Sequence, residues 1–102
     1  MPKLIVLLTF LFSLAVASQE GSIVGHVIGQ DNIPLSFVSV LLFEEGISEP
    51  MQGAITEDNG YFRIEGVENK SYTITFNFLG YKTVTIEIKL NGDTNLGNII
   101  LE

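Results

Sequence analysis

The sequence holds one histidine, His26, so no Ser-His-Asp triad, histidine dyad or multi-histidine metal centre can form within one copy. Ser36, Ser39, Ser48 and Ser71 lack the glycine-flanked strand-to-helix elbow that exposes a catalytic serine, and read as strand and loop hydroxyls. The absence of cysteine removes a thiolate nucleophile, a thiolate zinc site, a disulfide framework and a lipidated N-terminal cysteine. What remains is carboxylate and amide chemistry. Glu57-Asp58-Asn59 offers either a general acid/base pair or part of a Ca²⁺ site, because hard cations take carboxylate and amide oxygens. Calcium takes about 6 to 8 oxygens, more than this stretch supplies, so an Asx-rich turn is the competing reading. Glu44, Glu45 and Glu49 around Gly46 form a second acidic cluster, read as solvated loop charge or as an attractor of a basic partner. Tyr61, Tyr72 and Tyr81 offer a stacking platform for a sugar, or else core and corner positions. Asn69-Lys70-Ser71 fits the glycosylation pattern, which is read as coincidental. No catalytic or cofactor-binding residue is assigned, and Glu57, Asp58 and Asn59 stand only as metal candidates.

Composition narrows the classes further. With 102 residues the chain holds one small domain, and 46% hydrophobic residues with only 17% charged ones provide for a packed core. A net charge of -7 argues against nucleic acid and anionic membrane surfaces, since affinity for phosphates comes from Lys and Arg releasing counterions.

The elements that would position these groups are all strands. In Ser71 to Phe78, Tyr72, Ile74, Phe76 and Phe78 alternate with Ser71, Thr73, Thr75 and Asn77, which is the period of a half-buried strand. Lys82 to Leu90 repeats the alternation with Val84, Ile86, Ile88 and Leu90, and the two strands are expected to be adjacent, turning at Leu79-Gly80. Glu57-Asp58-Asn59-Gly60 separates Gly53–Thr56 from Tyr61–Glu65, and Asn-Gly predicts a tight β-hairpin there, with Phe62 and Ile64 facing the core. Phe37 to Phe43 is apolar on both faces at several positions and predicts a central strand, delivered by a turn at Asp31-Asn32-Ile33-Pro34. Ser22–Ile28 and Leu96–Leu101 bring the expected count to seven.

Residues 1–17 are expected to be a signal peptide and 18–102 the folded domain. Lys3 precedes an apolar run from Leu4, and Ala15-Val16-Ala17 supplies the small-residue cleavage pattern, with cleavage after Ser18 as the alternative. The 14 residues of Leu4–Ala17 fall short of the roughly 20 that span a bilayer as a helix.

Three blocks in order resemble one known family. Gly25-His26-Val27, Asp31-Asn32-Ile33-Pro34-Leu35 and Val38-Ser39-Val40 are similar to its opening motif; Gly53-Ala54-Ile55-Thr56-Glu57-Asp58-Asn59-Gly60-Tyr61-Phe62 to its G-x-x-T-D-x-x-G-x-F block; Leu79-Gly80-Tyr81 to its closing G-Y. The family is that of carboxypeptidase-regulatory-like domains, and the resemblance runs over roughly Gly21 to Glu102. Departures are Asn32-Ile33 where a glycine is usual, Phe37 for a small residue, and Glu57 for Asp. The resemblance implies an all-β, seven-stranded antiparallel Greek-key β-sandwich of prealbumin-like type. Its structural motif is carried by Gly25, Pro34, Leu35, Thr56, Asp58, Gly60, Phe62, Gly80 and Tyr81, with Gly60 permitting the turn, Phe62 filling the core and Tyr81 capping the sandwich after the bend at Gly80. Related folds include hydrolases of a purine-degradation intermediate. These carry further His and Arg residues and a Tyr-Arg-Gly-Ser tail, whereas this sequence reads Ile99-Ile100-Leu101-Glu102.

The family implies a non-catalytic accessory module without cofactor, placed after the signal peptide of TonB-dependent outer-membrane receptors of the SusC type. Its implied partner is a protein of the cell envelope, either the receptor plug and barrel or an associated lipoprotein, and its implied location is the periplasm or outer membrane, or secretion. The alternative is an independent secreted domain that binds a glycan or Ca²⁺.

Overall fold

In the computed structural model the described residues are Glu20–Glu102, so the expected leader and its cleavage positions at Ala17 and Ser18 lie outside the described residues. Seven strands follow one another: β1 (Glu20–Gly29), β2 (Ser39–Glu44), β3 (Gln52–Ile55), β4 (Tyr61–Glu68), β5 (Ser71–Asn77), β6 (Val84–Lys89) and β7 (Thr94–Leu101). They form a three-stranded sheet of order β4-β1-β7 and a four-stranded sheet of order β3-β2-β5-β6, the two layers of a β-sandwich.

The alternation of apolar side chains decides which face of each strand turns inward. Tyr72, Ile74 and Phe76 of β5, Val40 and Leu42 of β2, Phe62, Ile64 and Val67 of β4, Ile23 and Val27 of β1, and Ile99 and Leu101 of β7 are buried together in one core. Each fully buried side chain of this size contributes about 1.5–3 kcal/mol over its exposed state. Phe62 meets Phe76 edge to face across the layers, ring centroids 5.4 Å apart. Both sheets and this whole core lie within Glu20–Leu101.

Three expectations are corrected. The sandwich is antiparallel except at one pair, because β1 and β7 run parallel, Ile23 beside Thr94 and Gly29 beside Leu101. The loop after β6 crosses to the other sheet, and Asp93 fixes its landing point. Its Oδ1 accepts from the Ser22 amide (3.0 Å) and the Ser22 hydroxyl (3.1 Å), which sets the start of β7 next to the start of β1. Gly21 allows this approach, since a Cβ there would lie 2.4 Å from the Gly92 carbonyl oxygen.

The second correction concerns the expected hairpin. The turn closes, with the Gly60 amide donating to the Glu57 carbonyl (2.8 Å) and the Glu57 amide to the Tyr61 carbonyl (2.9 Å). Its arms then part into different layers, as β3 pairs with β2 and β4 with β1. The Gly60 carbonyl accepts from the Val27 amide (2.8 Å), pulling the Tyr61 side toward β1, while Thr56 bonds to the segment before β2.

The third correction is Phe37, expected at the start of the central strand. β2 begins at Ser39 and is indeed an inner strand of its sheet, but Phe37 precedes it with φ 63 and stands out from the surface. In the turn before it, Asn32 takes φ 65, the left-handed conformation usually given to glycine.

Candidate functional site

Chain direction brings the β1–β2 loop, the β3–β4 turn, the β5–β6 turn and Glu102 to one end of the sandwich, called here the Gly60 end. Most residues of the sequence motif meet there, and Thr56 organises them. It is a buried polar residue in a chain whose core is otherwise almost wholly apolar. Its Oγ1 donates to the Leu35 carbonyl (2.7 Å) and accepts from the Val38 amide (2.9 Å). The Thr56 amide donates to the Val38 carbonyl (3.1 Å), and the Thr56 carbonyl accepts from the Phe37 amide (3.0 Å). Four bonds thus clamp Leu35–Val38, leaving Phe37 in the left-handed region with its ring outward. A bulky aromatic residue at positive φ costs of order 1–3 kcal/mol and is held there only by over-determined surroundings.

Around Phe37 the surface is apolar. Phe37 is 73% exposed and Leu79 97%. Both line an open hollow of 480 Å³ with Asn77 and Phe78. Tyr81, expected to cap the sandwich, is exposed instead. The tight turn in which its amide donates to the Phe78 carbonyl (3.0 Å) lays its ring on Phe78 at 5.5 Å. Gly80 makes that turn at φ 88 with open space around it. Gly60 (φ 81) is different, because a Cβ there would fall 2.3 Å from the Val27 carbonyl oxygen. Gly25 is equally confined: its Cβ would meet the Phe62 ring at 2.9 Å. Pro34 bridges Ile28, and the next residue, Leu35, is half-buried with its amide on the Val27 carbonyl (3.0 Å).

The metal candidates lie beside this surface. Glu57 and Asp58 are exposed, and the Asn59 Oδ1 accepts from the Tyr61 amide (3.0 Å), an Asx turn that engages the amide oxygen. Among the described residues no group of three or more His, Asp or Glu side chains converges on a common point. His26 sits on the outer face of β1, half-buried, with its ring 5.3 Å from that of Tyr61. Arg63 continues that face on β4. The Tyr61 hydroxyl and then the Glu65 carboxylate raise its guanidinium above the ordinary arginine value. In the acidic cluster, Glu44 pairs with Lys70 at 3.1 Å, and Lys70 also reaches Glu68 at 3.3 Å. Of the tyrosines, Tyr72 is the core residue, its hydroxyl donating to the Glu68 carbonyl at 2.7 Å.

The serines, the histidine and the carboxylates are therefore scattered over both sheets, while the apolar side chains Phe37, Phe78, Leu79 and Tyr81 are brought together. Sequence reasoning missed this patch. The signal was present in Phe37 standing where a small residue is usual, but the exposure of a phenylalanine that opens an apolar run is decided by the Thr56 clamp 19 residues later.

These features define a two-layer β-sandwich whose glycine-containing turns serve architecture. A family model for the CarboxypepD_reg-like domain matches residues 23–102, and the chain belongs to that family. No curated protein matches the sequence. Among solved structures it is similar to a type II cohesin-X-dockerin complex from Acetivibrio cellulolyticus, with TM-score 0.63 at 22% identity, covering 79% of this chain and 56% of that one. It is also similar to BcpA, the major pilin subunit of Bacillus cereus (TM-score 0.69, 15% identity, 81% of this chain and 29% of that one). A DUF3823 family protein from Parabacteroides merdae gives 0.60 at 20% identity, over 82% of this chain and 46% of the other. The chain thus spans about half or less of the length of these structures, and the likeness is one of fold.

Proposed function

We propose that this sandwich is a non-catalytic accessory module, exported to the cell envelope, that acts through protein contacts made by its Gly60 end. In the finer reading it is the N-terminal domain, or a stand-alone relative, of a TonB-dependent outer-membrane receptor for nutrient uptake, and its partner is the receptor plug and barrel or an associated lipoprotein. The observation that carries the proposal is the apolar patch formed by exposed Phe37, Leu79 and Tyr81 around half-buried Phe78, with Phe37 held out at positive φ. Exposed apolar patches of this kind mark interaction sites, and backbone strain collects where function needs a side chain displayed. Family membership and the signal-peptide pattern of residues 1–17 add support. The last residue also lies at this end, its carbonyl accepting from the Lys82 amide at 2.7 Å, so a polypeptide continuing beyond Glu102 would emerge beside the patch.

The test begins with an antibody to the sandwich and fractionation of the cell that makes it. A large outer-membrane protein is the expected antigen in the receptor reading, a free sandwich-sized product in the stand-alone one, and a cytosolic product overturns both. Phe37→Ser with Leu79→Ser, introduced into whichever protein is found, is expected to impair nutrient uptake or partner capture while leaving the level of folded protein unchanged. Unaltered uptake and capture would remove the patch from the account.

A further inference from the structure

A sandwich of three strands over four has four sheet edges, and three of them are guarded. β3 is only four residues long. β4 is interrupted by a bulge where Gly66 (φ 67) breaks the register against β1. β7 is interrupted by a bulge at Gly97 (φ 72), whose amide is taken by Asn95 Oδ1 at 2.8 Å. Short edges and bulges are among the devices by which native sheets avoid pairing with other chains, charged side chains being another. β6 is neither short nor bulged, and its charges, Glu87 and Lys89, are of opposite sign. It pairs with β5 through six consecutive residues without a register shift, contains no glycine or proline, and has no strand on its other edge among the described residues. Its inward side chains Val84, Ile86 and Ile88 are only half-buried, although Tyr72, Ile74 and Phe76, their partners on β5, are fully buried.

We infer that this edge pairs with the β6 edge of a second copy, antiparallel about a two-fold axis through Ile86, joining the two four-stranded sheets into one of eight strands. The sequence of the strand selects the occupant and the register. Residues opposite one another across an antiparallel pair share a face, so a two-fold axis falls on a residue of either the inner or the outer set. Centred on Ile86, the inner face sets Val84 against Ile88 and Ile86 against Ile86, while the outer face sets Thr85 against Glu87 and Thr83 against Lys89. Every inward side chain meets a β-branched partner, and no charge faces its like. Centred on Glu87, the pairing would oppose two carboxylates and is excluded. In this register Lys89 stands opposite Thr83 and Lys82 opposite Leu90, so neither lysine faces the other copy's lysines directly. This inference is independent of the docking reading, since β6 pairing does not use Phe37 or Leu79.

Sedimentation equilibrium of the chain from Ser18 onward, between about 5 and 500 µM, is expected to show a reversible monomer–dimer equilibrium. Ile86→Lys is expected to weaken it roughly tenfold or more by placing a charge in the seam, with a cooperative urea transition confirming that the variant folds. Phe37→Ser is expected to leave it unchanged. The register has its own readout, because the chain has no cysteine. Opposed Cα atoms lie about 4.5–5.5 Å apart in such a ladder, within the span a disulfide takes, so Ile86→Cys is expected to oxidise to a disulfide-linked dimer and Glu87→Cys is not. A monomer throughout the concentration range, a dimer indifferent to Ile86→Lys, or cross-linking at position 87 rather than 86 would each overturn the inference.

Discussion

Thr56 and Val38 are bonded to each other twice, the Val38 amide donating to Thr56 Oγ1 at 2.9 Å and the Thr56 amide donating to the Val38 carbonyl at 3.1 Å. Together with the Oγ1 bond to Leu35, this makes one hydroxyl the joint between the β1–β2 loop and the end of β3. Thr56→Val keeps the shape but strips a buried amide and a carbonyl of their partner, and should cost about 2–6 kcal/mol at roughly 1–3 kcal/mol per orphaned group. Thr56→Ser retains both bonds and should cost less than half as much. Urea unfolding of the two variants reads the difference, and equal losses would show that the hydroxyl bonds are not what holds the loop.

Phe37 should be replaceable with a gain. Asn tolerates the left-handed region that Phe resists, so Phe37→Asn is expected to stabilise the fold by about 1 kcal/mol while weakening partner binding. A loss of stability measured by the same unfolding experiment would mean that the ring contributes more by contact than its backbone costs.

Gly60 and Gly80 both have positive φ, but they should respond unequally to alanine. At Gly80 only the backbone conformation is penalised, about 1–2 kcal/mol, because no atom lies within 4 Å of the added Cβ. At Gly60 the Cβ also collides with the Val27 carbonyl oxygen at 2.3 Å. That carbonyl cannot retreat without releasing the Leu35 amide it accepts from. Gly60→Ala should therefore lower the melting temperature at least twice as far as Gly80→Ala. Similar shifts would contradict the close approach.

Alkaline stability should depend on Tyr72. Burial raises its hydroxyl above the ordinary 10.0, with Lys70 opposing and Glu44 and Glu68 reinforcing the shift. A folded-state value above the unfolded one means that stability is fully present below pH 10 and is lost as pH rises through the raised value. Lys70, raised by Glu44 and then Glu68, loses its ion pairs as it deprotonates at high pH, so it is the necessary control. Urea midpoints at pH 8 and pH 11 should fall less for Tyr72→Phe than for the parent chain. Lys70→Met should preserve most of the parent's fall, and the opposite ranking would assign the effect to the lysine.

The strands were legible because their information is local. Tyr72, Ile74 and Phe76 alternate within one short segment, and burial follows that alternation. The partners of the strands were not legible in the same way. The pairing of β1 with β7 rests on Ser22 and Asp93, 71 residues apart, and no pattern near Ser22 announces a parallel neighbour. Glu57-Asp58-Asn59-Gly60 does form the tight turn its residues favour, but turn chemistry sets only the turn, and Val27 and Val38 decide that its arms enter different sheets. Asn32 stands where the resemblance leads one to expect a glycine, and its φ of 65 shows the amide residue taking the glycine conformation. The apolar patch escaped because exposure at Phe37 is a tertiary outcome of the Thr56 bonds.

The parallel neighbours β1 and β7 also give the molecule a direction in mechanics. Glu20 opens β1 at one end of the sandwich and Leu101 closes β7 at the other, so tension applied between the two ends of the segment slides these strands along each other. Their ladder bonds would then have to yield together rather than unzip one at a time. Held at both ends, the sandwich would resist extension most strongly along that line. Pulling from the ends in a single-molecule force experiment should require a markedly higher force than pulling from residues placed to peel β6 away from β5, and equal forces would refute the shear geometry.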